Sequence, residues 1–171
     1  MDEHTLDVLV AKQAIADVLH DYCRAMDRID HELARSVFHD DATVDYGDMF
    51  RGSGHGFVDW VMKNHEALLT HTHQLANVVV RVADDRAASE SYVTARLRGR
   101  GADGSLFDIE TLGRYVDRWE RRVGRWAIVE RSYVHEMDDT RPVALAGFAT
   151  AGRRDRSDLS YAALGELDGA H

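Results

Sequence analysis

Proline occurs once in 171 residues, at Pro142, and cysteine once, at Cys23. A lone cysteine excludes an intrachain disulfide, so the fold must rest on an apolar core, and it is consistent with a reducing compartment such as the cytoplasm. A single proline leaves long helices and strands uninterrupted. No apolar run approaches the ~20 residues needed to span a bilayer. The start, Met1-Asp2-Glu3-His4, is acidic and lacks the hydrophobic stretch of a signal peptide. Basic residues are outnumbered 21 to 30, giving a formal net charge of −9. That balance argues against nucleic acid and anionic membrane surfaces as partners, since both are met by clustered positive charge. Internal repeats and low-complexity tracts are also missing.

What the chain does have is length for one domain with a real core, and a clear division of pattern. Residues 5–27 read as one long helix, with Val8, Ile15, Val18, Leu19, Tyr22 and Met26 at three-and-four spacing. Asp27 and Asp30 bracket a break, and Asp30 is placed to cap a short second helix whose inner face is Leu33, Val37 and Phe38. Asp40-Asp41 read as a turn, Ala42–Tyr46 as a short strand, and Gly47-Asp48 as a hairpin-like stop before a returning strand at 49–52. A third helix is expected over about 54–69, packed through Phe57, Trp60, Val61 and Leu68.

Beyond it the pattern changes to strands: about 71–82, 87–100, 105–121 and 125–137, separated by short Asp/Gly turns. Long strands with short turns predict an antiparallel meander. Helices first and strands second predict an α+β domain over residues 1–141, with three N-terminal helices packed on a strongly curved, mainly antiparallel sheet. Pro142 is expected to close the sheet. Residues 142–171 read as a tail with a short helix capped by Ser157 and stopped at Gly165, which would cover a cavity mouth, dock on a neighbouring subunit or be partly loose.

The stretch Leu-Thr-His-Thr-His-Gln-Leu-Ala-Asn-Val-Val-Val, 69–80, is the most informative. Side chains alternate across a strand, so His71, His73, Leu75 and Asn77 share a face if no bulge intervenes. A polar face on an apolar strand suggests a cavity wall. His-x-His also invites a metal reading, but a third ligand is needed. No spacing ties in His65 or His135, and no metal is assigned. Cys23 has no adjacent base and reads as a packing residue. Gly52-Ser-Gly-His-Gly56 lacks the strand context of a phosphate-binding loop and reads as a flexible turn.

The segment Gly113-Arg-Tyr-Val-Asp-Arg-Trp-Glu-Arg-Arg-Val-Gly-Arg-Trp-Ala-Ile-Val-Glu-Arg131, following a long helix, two more helices and a meander, resembles the final hairpin of the SnoaL-like, nuclear-transport-factor-two-like superfamily. The likeness covers about residues 8–137, and Arg153–Tyr161 resembles an ending of one branch. That branch holds enzymes of the scytalone dehydratase, bile-acid dehydratase and hexachlorocyclohexane dehydrochlorinase types. They share an Asp late in the first helix and a His on the first long strand. Asp27 and His73 stand at those positions here. Tyr22 matches a tyrosine of the bile-acid enzyme, where the dehydrochlorinase has Lys instead, and Arg131 matches an Arg late in the last strand.

The resemblance implies a cofactor-free lyase or isomerase acting on a small, mainly apolar cyclic molecule such as a steroid, polyketide or terpenoid. Neutral His accepts protons near pH 7, and a carboxylate on its other nitrogen fixes the tautomer. His73 is then the base and Asp27 its orienter, with Tyr22 and Arg131 polarising the substrate. Tyr46, Trp60, Leu75, Asn77 and Tyr115 are expected to line the pocket. Each residue also has a structural alternative: Asp27 a helix stop, His73 a satisfied strand His, Tyr22 a core tyrosine, Arg131 an ordinary ion-pair partner. Two other roles fit the same fold, a non-catalytic ligand-binding or assembly module and an accessory subunit of an oxygenase. A homo-oligomer is expected, since a monomer leaves one sheet face wet, with a trimer favoured over a dimer by the resemblance. Tyr22 and Asp27, five residues apart on a helix, would meet one cavity only if the helix end bends or frays.

Overall fold

The computed structural model describes residues 2–143, 147 and 150–167. The first helix, α1 (Glu3–Arg28), starts two residues before the expected residue 5 because the Asp2 carboxylate accepts from the Thr5 N–H and caps it. Ile15, Leu19, Tyr22 and Met26 form its buried face. The helix stops at Ile29, which takes a left-handed conformation (φ 54°) and returns its N–H to the carbonyls of Ala25 and Met26. A β-branched residue there costs about 1–2 kcal/mol, and this strain sits two residues after Asp27. Asp30 caps α2 (His31–Ser36) by accepting from the Leu33 N–H, as its position suggested.

Strand β1 (Phe38–Asp45) is longer than expected. Asp40 and Asp41 are not a turn: they are exposed residues within β1, at an irregularity in its pairing between Phe38 and Thr43. The pairing that keeps them in the strand is parallel and long-range, to β6, so no local signal reveals it. After the Gly47 turn (φ 62°), β2 (Arg51–Ser53) returns antiparallel to β1. Then α3 (Gly54–Glu66), capped by Ser53, buries Phe57, Val58, Val61, Met62 and His65. It ends three residues before the expected stop.

The strands β3 (Thr70–Ala83), β4 (Arg86–Arg100), β5 (Leu106–Arg122) and β6 (Arg125–Pro142) form the expected antiparallel meander. The six-stranded order is β2-β1-β6-β5-β4-β3. β6 runs past the expected end at Met137 to Pro142, which pairs with Phe107 as the strand's last residue, a place where a missing N–H is tolerated. Irregularities at Leu112/Gly113 and Arg118/Trp119 bend the long hairpin. The helices and curved sheet make an α+β domain whose core joins α1, α3 and the sheet's inner face, with Trp119, Trp126 and Ile128 from the β5–β6 hairpin fully packed in it.

In the tail, α4 (Leu159–Gly165) is capped by Asp158, which accepts from Ser160 N–H, and not by Ser157. The tail docks on the chain's own helices. Tyr161 O–H donates to Asp30 (2.7 Å), Arg24 donates to Ser160 Oγ (2.9 Å), and Arg154 reaches the carbonyls of His65 (2.8 Å) and Leu68 (2.6 Å) at the end of α3. No helix among the described residues is long and apolar enough to cross a membrane.

Candidate active site

A cavity of about 480 Å³ opens between α3 and the concave face of the sheet. Its size is within the ordinary range for small-molecule sites. One wall is aromatic: Tyr46 stacks on Phe57 (centroids 4.2 Å) and on Tyr133 (5.2 Å), and Trp60 leans over Phe57 (5.9 Å). Gly113 makes room for this wall. A Cβ there would sit 2.5 Å from the Tyr133 ring and 2.6 Å from the Val134 carbonyl. The floor is apolar, with Val93, Ala95, Leu97 and Ile109 from β4 and β5. No lysine or arginine appears among the described lining residues.

His73 lies in this cavity, with its side chain only 7% exposed. Its Nδ1 is 2.7 Å from Asp27 Oδ1, and its backbone N–H donates to Asp27 Oδ2 at 3.1 Å. A carboxylate only accepts, so Nδ1 carries the proton in this bond. The two contacts hold both strand and ring against the end of α1. Nε2 is left with its lone pair and has no partner among the described residues.

α1 is continuous through Arg28, and of the two residues only Tyr22 lines the cavity; Asp27 reaches the site through its bond to His73. Asp27 sits by the start of β3. Tyr22, one turn and a half deeper, extends its ring into the cavity, where its hydroxyl is 3.0 Å from that of Tyr46. Two hydroxyls sharing one hydrogen bond leave one O–H proton free to donate. Burial raises the pKa of Tyr22, and that of Tyr46 well above the ordinary phenol value, so both stay protonated at neutral pH.

Trp60 and Tyr115 line the cavity together with Tyr46. Leu75 does not line it: it shares a face with His71 and His73 but packs partly buried against the core. Asn77 is displaced by a bulge. It takes a left-handed conformation (φ 49°), pairing breaks between Ala76 and Val79, and Asn77 ends exposed. The alternation then shifts, so that Val80 rather than Val79 is buried.

Arg131 also lies off the cavity. It is fully buried behind the wall and makes a two-pronged bond to fully buried Asp117 at 2.7 and 2.9 Å. Its guanidinium lies over the rings of both Tyr22 (4.2 Å) and Tyr115 (4.1 Å), which meet each other edge to face. Nη1 has no hydrogen-bond partner among the described residues, and the neighbouring rings attract the charge of the guanidinium as a whole. Burial opposes its charge, but Asp117 outweighs that and holds the guanidinium charged. Direct contact of Arg131 with a ligand, expected from the sequence, is not available in this arrangement.

Several lining residues were not singled out in sequence. Thr111 and Asp138 lie in the row His73–Ala95–Thr111–Asp138, which follows once the hairpin registers are known. Tyr133 is fixed by a 3.1 Å bond between its hydroxyl and Thr111 Oγ1. At the rim His135 Nε2 meets Asp138 Oδ1 at 3.0 Å. His65 continues the stripe Phe57–Val61 by one turn, a signal present in the sequence. His71 lies behind His73 and binds the Met26 carbonyl through Nε2 at 2.6 Å. Among the described residues no three or more His, Cys, Asp or Glu side chains are placed to hold a metal ion. Cys23 is a buried thiol whose pKa burial pushes to about 12, which removes it as a nucleophile at neutral pH.

The sequence profile of the SnoaL-like domain matches residues 7–132. The chain belongs to the SnoaL-like family. Solved structures with the same fold include a scytalone dehydratase-like protein of Novosphingobium aromaticivorans (22% identity, TM-score 0.70, covering 87% of this chain and 98% of that one). A second is a hexachlorocyclohexane dehydrochlorinase, LinA-type3, of Novosphingobium barchaimii (20%, TM-score 0.67, 85% and 99%). A third is the β subunit assigned to an aromatic-ring-hydroxylating dioxygenase of N. aromaticivorans (20%, TM-score 0.59, 76% and 92%). No curated protein sequence matches the chain. At these identities the structural likeness establishes the fold of this SnoaL-like chain.

Proposed function

We propose that this SnoaL-like protein is a cofactor-independent lyase of the dehydratase type, or an isomerase using the same base, acting on a small, mainly apolar cyclic substrate. The observation that carries the reading is the 2.7 Å Asp27–His73 bond at the wall of an aromatic cavity. In this reading Nε2 of His73 removes a proton from a carbon of the substrate. The C–H electron pair becomes the new C=C bond, and the leaving group departs with its own pair. Asp27 holds the tautomer and stabilises the imidazolium that forms. The free O–H of the Tyr22–Tyr46 pair donates to a substrate oxygen on which negative charge builds. In isomerisation the imidazolium returns the proton to a different carbon.

Arg131 acts in this scheme through Tyr22 and Tyr115. Its cation lies against both rings and favours negative charge at the hydroxyl end of the site. The lack of lysine and arginine in the described lining favours a neutral ring with hydroxyl or carbonyl groups over a carboxylate or phosphate. The buried thiol of Cys23 suits a cytoplasmic setting, and a homo-oligomer, with a trimer favoured, accords with an outer sheet face that exposes Tyr92, Val116 and Met137.

The test is a screen of neutral hydroxylated polycyclic substrates, followed by His73→Ala and Asp27→Asn. Each substitution is expected to lower kcat by a hundredfold or more while the circular dichroism spectrum and Tm stay close to wild type. Near-normal turnover in both variants removes the dyad from the mechanism. The dioxygenase β-subunit likeness favours a second reading, an accessory subunit without chemistry of its own. Recovery of an obligate hetero-partner, with no turnover by the isolated chain, supports it.

A further inference from the structure

Three imidazoles cluster at one end of the cavity. The ring centroids of His65 and His71 are 4.4 Å apart, those of His65 and His73 5.7 Å, and those of His71 and His73 5.9 Å. The proposed function uses only His73, which leaves two other cavity-lining imidazoles without a role: His135, paired with Asp138 at the rim, and His65, which belongs to the cluster.

The protons of the cluster follow from its hydrogen bonds. A carbonyl only accepts, so His71 donates Nε2–H to Met26 and its Nδ1 is a bare lone pair, buried without a partner. His65 Nδ1 is also buried without a partner. An orphaned buried N–H is rarer and more costly than an unmet acceptor, so the proton of His65 belongs on Nε2. That atom is not buried and has no partner among the described residues, while the residue as a whole lines the cavity. The ring is also held in place. Arg154 donates to the carbonyls of His65 and Leu68, fastening the last turn of α3.

We propose that His65 is a further ligand-contacting side chain of this cavity, donating its Nε2–H to an oxygen of the substrate held beside His73. This rests on the lyase or isomerase reading of the same site and deepens it. The substrate would carry one oxygen at the Tyr22–Tyr46 pair and another, or its leaving hydroxyl, within reach of His65. The geometry suits a hydrogen-bond donor that stays neutral. Burial, the neighbouring His71 and His73, and the Arg154 guanidinium all oppose a positive charge on His65 and bring its pKa to about 3. It therefore holds the oxygen without surrendering a proton. The proton that neutralises a leaving hydroxide comes from the His73 imidazolium, so that water departs and both imidazoles end neutral.

The test needs no natural substrate. Dissociation constants of 2-naphthol and naphthalene are measured by fluorescence for the wild type, His65→Leu, His65→Gln and Tyr22→Phe. The preference for the hydroxylated probe is expected to fall about three- to tenfold in His65→Leu, the range of one neutral hydrogen bond. It is expected to recover in His65→Gln, which restores a donor. Long-range 1H–15N spectra of the free protein at pH 6 should show His65 neutral and protonated at Nε2, and that resonance should move on adding 2-naphthol. The proposal is overturned by an Nδ1–H or doubly protonated His65, by a wild type that does not discriminate the two probes, or by an unchanged preference in a folded His65→Leu. An oxygen preference that vanishes only in Tyr22→Phe overturns it too. Loss of the dyad's role in turnover with the His65 effect intact would instead overturn the catalytic reading and leave the ligand contact standing.

Discussion

Replacing Asp117 by Ala leaves the Arg131 guanidinium fully buried, without either of its 2.7 and 2.9 Å bonds. Both side chains are 0% exposed, so water cannot take over the lost partner without opening the core. Removing one member of a buried pair costs about 3–5 kcal/mol. The neighbouring rings of Tyr22 and Tyr115 attract the cation by about 2 kcal/mol at a desolvated site, but that attraction is present before the substitution as well and does not replace the carboxylate. At about 2–4 °C per kcal/mol for a chain of this size, Tm should fall by roughly 6–20 °C. The double variant Asp117→Leu with Arg131→Met removes both charges and should be far less destabilised than the two singles combined. Calorimetry or urea unfolding of the four proteins gives the coupling energy. A single Asp117→Ala variant melting within about 2 °C of wild type would refute the view that this pair is a desolvated, mutually dependent unit.

The histidine cluster makes a pH prediction of definite sign. His65 binds its proton with a pKa of about 3 in the fold against 6.5 when exposed, mainly because burial disfavours the charge, and burial likewise lowers His71. The unfolded chain therefore takes up protons first, and stability is complete above about pH 6.5 and falls as pH drops toward 3. The slope is ~1.4 kcal/mol per pH unit for each histidine, so His65 alone removes about 2 kcal/mol between pH 6.5 and 5. Urea midpoints at the two pH values should differ accordingly, and the difference should shrink by the His65 share in His65→Leu, with the His71 share remaining; equal stabilities in the wild type would contradict the buried, neutral assignment. At the bulge, Asn77→Val should cost about 1–2 kcal/mol through its left-handed backbone, whereas Asn77→Gly should be neutral or mildly stabilising, as thermal unfolding would show.

The apolar stripe of α1, the Asp30 cap, and the meander with its short Asp/Gly turns are all local patterns, and each was legible in order along the chain. So was the sharing of one face by His71, His73 and Leu75, because two-residue alternation needs only an unbroken strand. The failures have a common cause. Asn77 left the face because the strand bulges, and a bulge is decided by pairing with β4 rather than by the residues of β3. Asp40-Asp41 remained in a strand because β1 runs parallel to β6, some ninety positions away. The family resemblance singled out Arg131, but it could not say which way a strand arginine faces once Asp117 and two tyrosines surround it.

By itself the sequence determined the α+β class and the element order, because these follow from periodicity and turn chemistry within short windows. Only the tertiary structure decided which side chains meet: the 2.7 Å contact of Asp27 with His73, the sharing of a hydrogen bond by Tyr22 and Tyr46, the withdrawal of Arg131 behind the wall, and the clustering of His65 with His71 and His73. These contacts join residues from the first helix, the third helix and several strands. Their distances are set by how the long sheet curves around α1 and α3, and that curvature is a property of the packed whole.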